Sequence, residues 1–342
     1  MILWKGKEGW PHVLGKDIQN VFQNLFKQRG KWKRYIRKNV ISLYSEDAPK
    51  AKNREKLVIF MADGVMHHGG LCDRLKGIIS VYSICKSKNI PFRIFFVSPF
   101  PLYDYLLPNQ YDWKIDESDI CRHKKEALPV FCGNNGTHVE TPFLRRWLVK
   151  NVKKDFKQIH IYTNVPLIKN KKFSILFNEL FKPSDEIIRS IKDFKSQIKP
   201  NYVTASFRFS KLLGDFKDEA YSVLDEEDRI SLMNQAKDEI IKLREKVGEE
   251  KDIVLMSDSS TFIKYTTTQL PYVKFIPGVP VHMDFANSSE KASFMKDFLD
   301  LLVISEADDV YLFKNPQMYN SAFPRIGALI GNRPFHLIRF GY

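Results

Sequence analysis

Residues 57–88 read LVIFMADGVMHHGGLCDRLKGIISVYSICKSK. The apolar run at 57–61 has the pattern of a strand buried on both faces of a parallel sheet. The loop after it carries Gly64, His67, His68, Gly69 and Gly70. Leu71, Leu75, Ile78, Ile79, Tyr82 and Cys85 then recur at spacings of three and four, the apolar stripe of a helix. A strand that enters a helix through a glycine-rich turn opens a nucleotide-binding type of α/β unit. Glycines let backbone approach a ligand closely, and a helix start offers N–H groups and a positive dipole end to an anion. The turn matches neither GxGxxG nor GxxxxGK[ST], so neither a dinucleotide site nor a P-loop follows from it.

The alternation continues to the end of the chain. Further strands are expected at 92–97, 158–163, 202–209, 252–256, 273–276, 309–313 and 335–340. Helices are expected at 102–107, 144–152, 173–181, 184–198, 226–247, 291–304 and 321–330, with a short one after 260. Residues 109–140 read as irregular, with a turn at 133–136. A chain of 342 residues is long enough for two cores. The expected fold class is α/β, with two Rossmann-like domains whose parallel sheets face each other across a cleft. The expected division is an arm at 1–56, one domain at 57–190 and a second at 191–342.

The formal charge is +14, and it is unevenly placed. Residues 1–56 hold 14 Lys/Arg against 5 Asp/Glu, a balance of +9 that leaves +5 for the rest. Within that arm, residues 17–40 combine an apolar face with lysines and arginines. Two readings stand: an element lying on an anionic membrane surface, or one packed on the first domain. Because the excess sits in one arm and no RNP or zinc pattern appears, nucleic-acid binding is the weakest reading. Cys72, Cys85, Cys121 and Cys132 form no CxxC pair, so reduced thiols and no zinc site are expected. No run approaches the roughly 18 apolar residues of a membrane span, and no signal-peptide core is visible. The expected location is the cytoplasm, peripheral on the inner face of the membrane.

Ligands of open parallel sheets bind beyond the carboxyl ends of the strands. Three such ends in the second half carry polar groups. SFRFSKLLGDF places Arg208 at a strand end with Asp215 shortly after; a guanidinium can fork onto a diphosphate. MSDSS places Asp258 and Ser259 in a turn, where a carboxylate can accept from a guanine or a ribose hydroxyl. NSAFPRIGAL places Ser321, Ala322 and Phe323 at a helix start suited to phosphate. Each has a plain structural use as well: Arg208 can pair with Asp215, and Asp258 and Ser321 can cap helices. Together they form a cradle for a nucleoside diphosphate. Asp73, His67 and His68 are candidates for a general base on the facing loop. His282 and Asp284 either border the pocket or hold a turn.

Gly69-Gly70-Leu71-Cys72-Asp73-Arg74-Leu75 resembles the GGLGNRL-type motif of the GDP-fucose-dependent fucosyltransferase superfamily, which includes α1,2-, α1,6- and protein O-fucosyltransferases. Ser206-Phe207-Arg208 is similar to its HxR motif, Asp258 to its nucleoside-holding acid, and Tyr319 to Phe323 to its late SxF segment. Three positions depart from the pattern. Ser206 replaces the histidine, Lys211 stands where an aspartate follows the arginine, with Asp215 a candidate substitute, and Asp73 replaces the asparagine of the first motif. The resemblance implies a GT-B glycosyltransferase moving fucose from GDP-fucose to a glycan hydroxyl, with inversion and without a metal or other cofactor. Residues 57–190 would be the acceptor side and 191–342 the nucleotide-sugar side. Gly69, Gly70, Ser206, Arg208, Asp215, Asp258, Ser259, Ser321, Ala322 and Phe323 would hold the donor, and Arg208, Asp73 and His68 would serve catalysis. A related enzyme using another nucleotide sugar is the alternative.

Overall fold

The computed structural model describes residues 34–52, 55–132, 141–216, 222–280, 283 and 291–341. Most of the basic arm, the expected turn at 133–136 and the pair His282 and Asp284 lie outside the described residues. The first half runs β1 (Leu57–Ala62), α1 (Leu71–Ser87), β2 (Phe92–Phe96), β3 (Leu106–Pro108), β4 (Ala127–Cys132), α2 (Thr141–Val152), β5 (Gln158–Thr163), α3 (Phe173–Leu180), β6 (Phe181–Pro183) and α4 (Asp185–Lys195). The second half runs β7 (Tyr202–Phe207), α5 (Glu226–Val247), β8 (Asp252–Ser257), α6 (Ser260–Gln269), β9 (Val273–Lys274), α7 (Lys291–Glu306), β10 (Asp309–Lys314), α8 (Phe323–Gly331) and β11 (Phe335–Arg339).

Two all-parallel sheets result, in the orders β2-β1-β5-β4 and β11-β10-β7-β8-β9. The fold class is the expected α/β arrangement of two Rossmann-like units. β1 shows why the run at its core is continuously apolar. Val58, Phe60 and Ala62 face the helix side, while Ile59 and Met61 face a second cluster with Val40, Tyr44 and Phe95. Both faces are covered, as parallel strands require. The second cluster answers part of the question about the arm: Val40 and Tyr44 are buried, and the Tyr35 hydroxyl donates to the Val65 carbonyl at 2.8 Å. Residues 34–44 therefore pack on the first domain.

Three elements depart from expectation. β4 forms inside the stretch read as irregular, pairing with β5 from Ala127 to Cys132. Pro129 disguises it, and proline is tolerated because β4 is an edge strand. Residues 102–107 make a single 3-10 turn and then β3, not a helix, and β3 pairs antiparallel with β6. α1 lies close on its sheet because Gly77 has no side chain; a Cβ there would sit 2.2 Å from the Thr163 carbonyl oxygen. In the second half, α7 and α8 pack into the same core cluster as α1 and α3. Tyr105 stacks on Phe298 at 4.6 Å, and Phe100 meets Phe294 at the same distance, which ties α7 to the first domain. Among the described residues no helix is long and apolar enough to cross a membrane.

Candidate active site

In each sheet the chain leaves one strand toward one edge and returns on its other side. These reversals fall at β1/β5 and at β7/β10, where parallel sheets open a crevice at their carboxyl ends. A cavity of about 520 Å³ lies there. Gly69, Gly70, Leu71, Cys72, Asp73 and Lys76 line it from the first domain. Ser206, Phe207 and Arg208 at the end of β7, Met256 to Asp258 at the end of β8, and Ser321 to Pro324 at the start of α8 line it from the second.

The Arg208 guanidinium is held from two sides. Nη1 lies 3.3 Å from the Asp258 carboxylate, and the guanidinium carbon sits 4.2 Å from the centre of the Phe216 ring. Asp258 also accepts the backbone N–H groups of Phe209 (2.8 Å) and Ser210 (2.6 Å). Ser210 needs this help because its φ of 54° is a left-handed conformation that costs a non-glycine residue energy. Burial raises the Asp258 carboxyl from its usual 3.8 to about 6, against Arg208 and the backbone N–H groups, which pull it down. Asp258 thus brackets Arg208 and its turn while it also lines the cavity.

Ser321 lies just outside α8, whose N-cap is Ala322. Its hydroxyl accepts the Phe323 N–H at 3.2 Å. The Arg208 carbonyl accepts the Tyr319 N–H at 3.3 Å, so the cation and the start of α8 are joined through backbone. Ser206 is 4% exposed, and its hydroxyl has no hydrogen-bond partner among the described residues. On the opposite wall, Gly69 adopts φ +78° and precedes the Gly70 N-cap of α1. Arg74 braces this loop, its Nε donating to the Gly69 carbonyl at 3.1 Å and its Nη1 to the Ser98 carbonyl at 2.8 Å. Asp73 pairs with Lys76. Cys72 is buried, and burial together with nearby Asp73 pushes its thiol well up, so it stays protonated.

Four expected residues lie elsewhere. His68 is 2% exposed, its ring 5.7 Å from Phe60 and stacked on Tyr162, outside the cavity lining. His67 is exposed and also outside it. Asp215 accepts the Thr261 N–H (2.8 Å) and the Ser259 hydroxyl (2.9 Å), while Ser259 accepts the Phe262 N–H as the N-cap of α6. Neither Asp215 nor Ser259 lines the cavity. Conversely, α7 supplies Asp297 and Asp300, which the sequence reading passed over. Both are buried, and Lys296, itself 2% exposed, pairs with both oxygens of Asp300. Their signal was present as KDFLD, charges at helical spacing inside an otherwise apolar helix.

No protein-family model matches the chain, and no curated protein matches it. Solved structures do. NodZ α1,6-fucosyltransferase co-crystallised with GDP superposes with a TM-score of 0.53 at 14% identity, over 84% of this chain and 96% of that one. The same enzyme soaked with GDP-fucose gives 0.51 at 12% identity, over 81% and 93%. NodZ from Bradyrhizobium gives 0.51 at 13%, over 81% and 94%. At this identity the likeness is one of fold, and it extends over about four fifths of this chain and most of the others.

Proposed function

We propose that the chain is a glycosyltransferase that moves fucose from GDP-fucose to a glycan hydroxyl, on a cell-surface polysaccharide or a lipid-linked glycan. The observation that carries this reading is the joint placement of Arg208 and the start of α8 on one wall of a cavity whose other wall is the Gly69-Gly70 turn. The NodZ structures, whose fold this chain shares, were co-crystallised with GDP and soaked with GDP-fucose.

The chemistry follows from where charge grows. The acceptor hydroxyl attacks the anomeric carbon on the face opposite the diphosphate, so configuration inverts. The bond from that carbon to the β-phosphate oxygen breaks, and GDP leaves with the electron pair. Arg208 and the α8 dipole would meet the charge that develops on that phosphate, a preorganised stabilisation that needs no metal. Asp73, which lines the cavity from the first domain, would take the hydroxyl proton. Guanine presents N1–H and a 2-amino group, both donors, and the carboxylates that line the cavity from the second domain are Asp258, Asp297 and Asp300.

The test compares GDP, UDP, CMP and ADP by thermal shift and then measures GDP-fucose turnover with and without EDTA. A ligand that binds only the folded state raises its stability by mass action. Selective stabilisation by GDP, followed by EDTA-resistant turnover, is the expected result. Stabilisation by UDP instead would move the chain to another donor class.

A further inference from the structure

We propose that α2 is a docking face for anionic lipid headgroups, set beside the acceptor side of the cleft. The helix reads TPFLRRWLVKNV and runs on into Lys153 and Lys154. Leu148 and Val152 are fully buried in the first domain's core, with Leu144 half-buried beside them. At about 100° per residue, Phe143, Arg146 and Lys150 share the opposite side of the helix, and Lys153 and Lys154 follow in the turn after its end. All five are exposed, Phe143 to 57%, and Trp147 lies half-buried at the flank of that side. The helix itself contains no acidic residue; Asp155 follows it, and Glu140 precedes it outside the described residues. The Lys56 ammonium donates to the Lys154 carbonyl at 2.5 Å, adding another cation at the far end.

The composition of this face selects a membrane over a protein groove or a free polyanion. It is exposed, cationic along its length and aromatic at one end. Lysines and arginines can meet phosphate headgroups while Phe143 enters the acyl boundary and the Trp147 indole sits at headgroup depth. Its place in the fold adds direction. α2 follows the carboxyl end of β4, the same end of the parallel sheet from which the β1–α1 loop reaches the cavity. The Phe143 end therefore lies at the cleft side, where an acceptor anchored in a lipid surface would be presented. Residues 57–342 carry only +5 of the net charge, so a run of five basic side chains here is a local concentration. The docking face rests on α2 and the lysines that follow it; its place beside an acceptor rests on the proposed function, and the vesicle test does not.

The test is co-sedimentation of the full chain with phosphatidylcholine vesicles, with and without phosphatidylglycerol, at low and high salt. Binding is expected only with the anionic lipid, and salt should weaken it. Each basic residue near an anionic leaflet contributes roughly fivefold in partitioning. Changing Arg146, Lys150, Lys153 and Lys154 together to Gln should then cost at least about a hundredfold. Phe143→Ser should cost about tenfold with every charge intact. Because these side chains are exposed, the melting temperature should not move, which separates lost docking from lost folding. Equal binding to neutral vesicles, or undiminished binding by the four-residue variant, would overturn the proposal. So would dextran sulfate competing as strongly as anionic vesicles with Phe143→Ser unchanged, which would mark a polyanion site.

Discussion

The wall of the cavity built by the second sheet holds its charges tightly, and the wall built by the first sheet does not. Arg208 is clamped between Asp258 and Phe216, and its side chain is 21% exposed beside a carboxylate at 3%. Asp73 on the facing wall is 39% exposed and is paired along its own helix, with Lys76. One wall has lost its conformational freedom in advance; the other retains it. Preorganised groups act on a transition state whose charge appears at a fixed point. An adaptable wall suits a partner whose shape varies, as glycan acceptors do. The contrast predicts that damage to the second wall lowers turnover, whereas damage to the first changes binding of the acceptor.

The most severe test is Arg208→Ala. Removal of one preorganised donor costs roughly 10²–10³-fold in turnover. Steady-state GDP-fucose assays should show this in kcat with a smaller change in the acceptor KM. Arg208→Lys should recover little, because an ammonium cannot reproduce the guanidinium fork or its stacking on Phe216. Near-normal turnover in Arg208→Ala would mean that the clamped wall is only structural.

Asp258→Asn probes the clamp itself. The amide oxygen can replace only part of the carboxylate, which leaves one of the Phe209 and Ser210 N–H groups poorly paired, at a cost of about 1–3 kcal/mol. Turnover should fall about tenfold as Arg208 loosens, on the scale of one charge-assisted hydrogen bond. The pH dependence gives a sharper signature. Folding raises this carboxyl from 3.8 to about 6, so the folded state binds the proton more readily. Its contribution to stability is complete below pH 3.8 and is lost as the pH rises through about 6. Turnover should move the opposite way, falling in acid with an apparent pKa near 6, because a protonated Asp258 releases Arg208. Melting and rate profiles from pH 4 to 8 should show both trends in the parent chain and neither in Asp258→Asn.

On the looser wall, two adjacent glycines separate fold from fit. A Cβ on Gly69 would meet the Asp73 Oδ2 at 2.4 Å, and the φ of +78° disfavours any side chain. A Cβ on Gly70 would meet nothing within 4 Å. Gly69→Ala should therefore cost about 1–2 kcal/mol in urea unfolding and displace Asp73. Gly70→Ala should leave stability unchanged and raise KM severalfold by narrowing the cavity. If both variants behave alike, the first wall is stiffer than the exposure of Asp73 implies.

How much of this could be read in advance follows the same division. β1, α1, β5, α5 and the final strands were legible because their apolar periods are local properties of the chain. β4 was hidden by Pro129, and the β3–β6 ladder by its shortness, since both are stabilised by partners distant in sequence. The carboxyl-end rule located the cavity and most of its lining. It could not say which way a side chain at a strand end turns. His68 folds inward against Tyr162, and Asp215 turns to cap α6. Asp297 and Asp300 were missed for the converse reason, because charges in a helix pass for solvent-facing until the packing of Phe294 and Phe298 orients them.

The smallest expected effect concerns Ser206, where the resembling family carries a histidine. A buried hydroxyl without a protein partner costs stability, so Ser206→Ala should leave the melting temperature unchanged or raise it slightly. If that hydroxyl serves the donor, the same change should weaken GDP binding by about two- to tenfold, the range of one neutral hydrogen bond. Calorimetric titration of GDP into both proteins reads this directly. A loss of affinity with no loss of stability would add Ser206 to the preorganised wall. Unchanged affinity would mean that the serine merely fills the space of a larger residue, and that Arg208 and α8 hold the diphosphate on that wall without it.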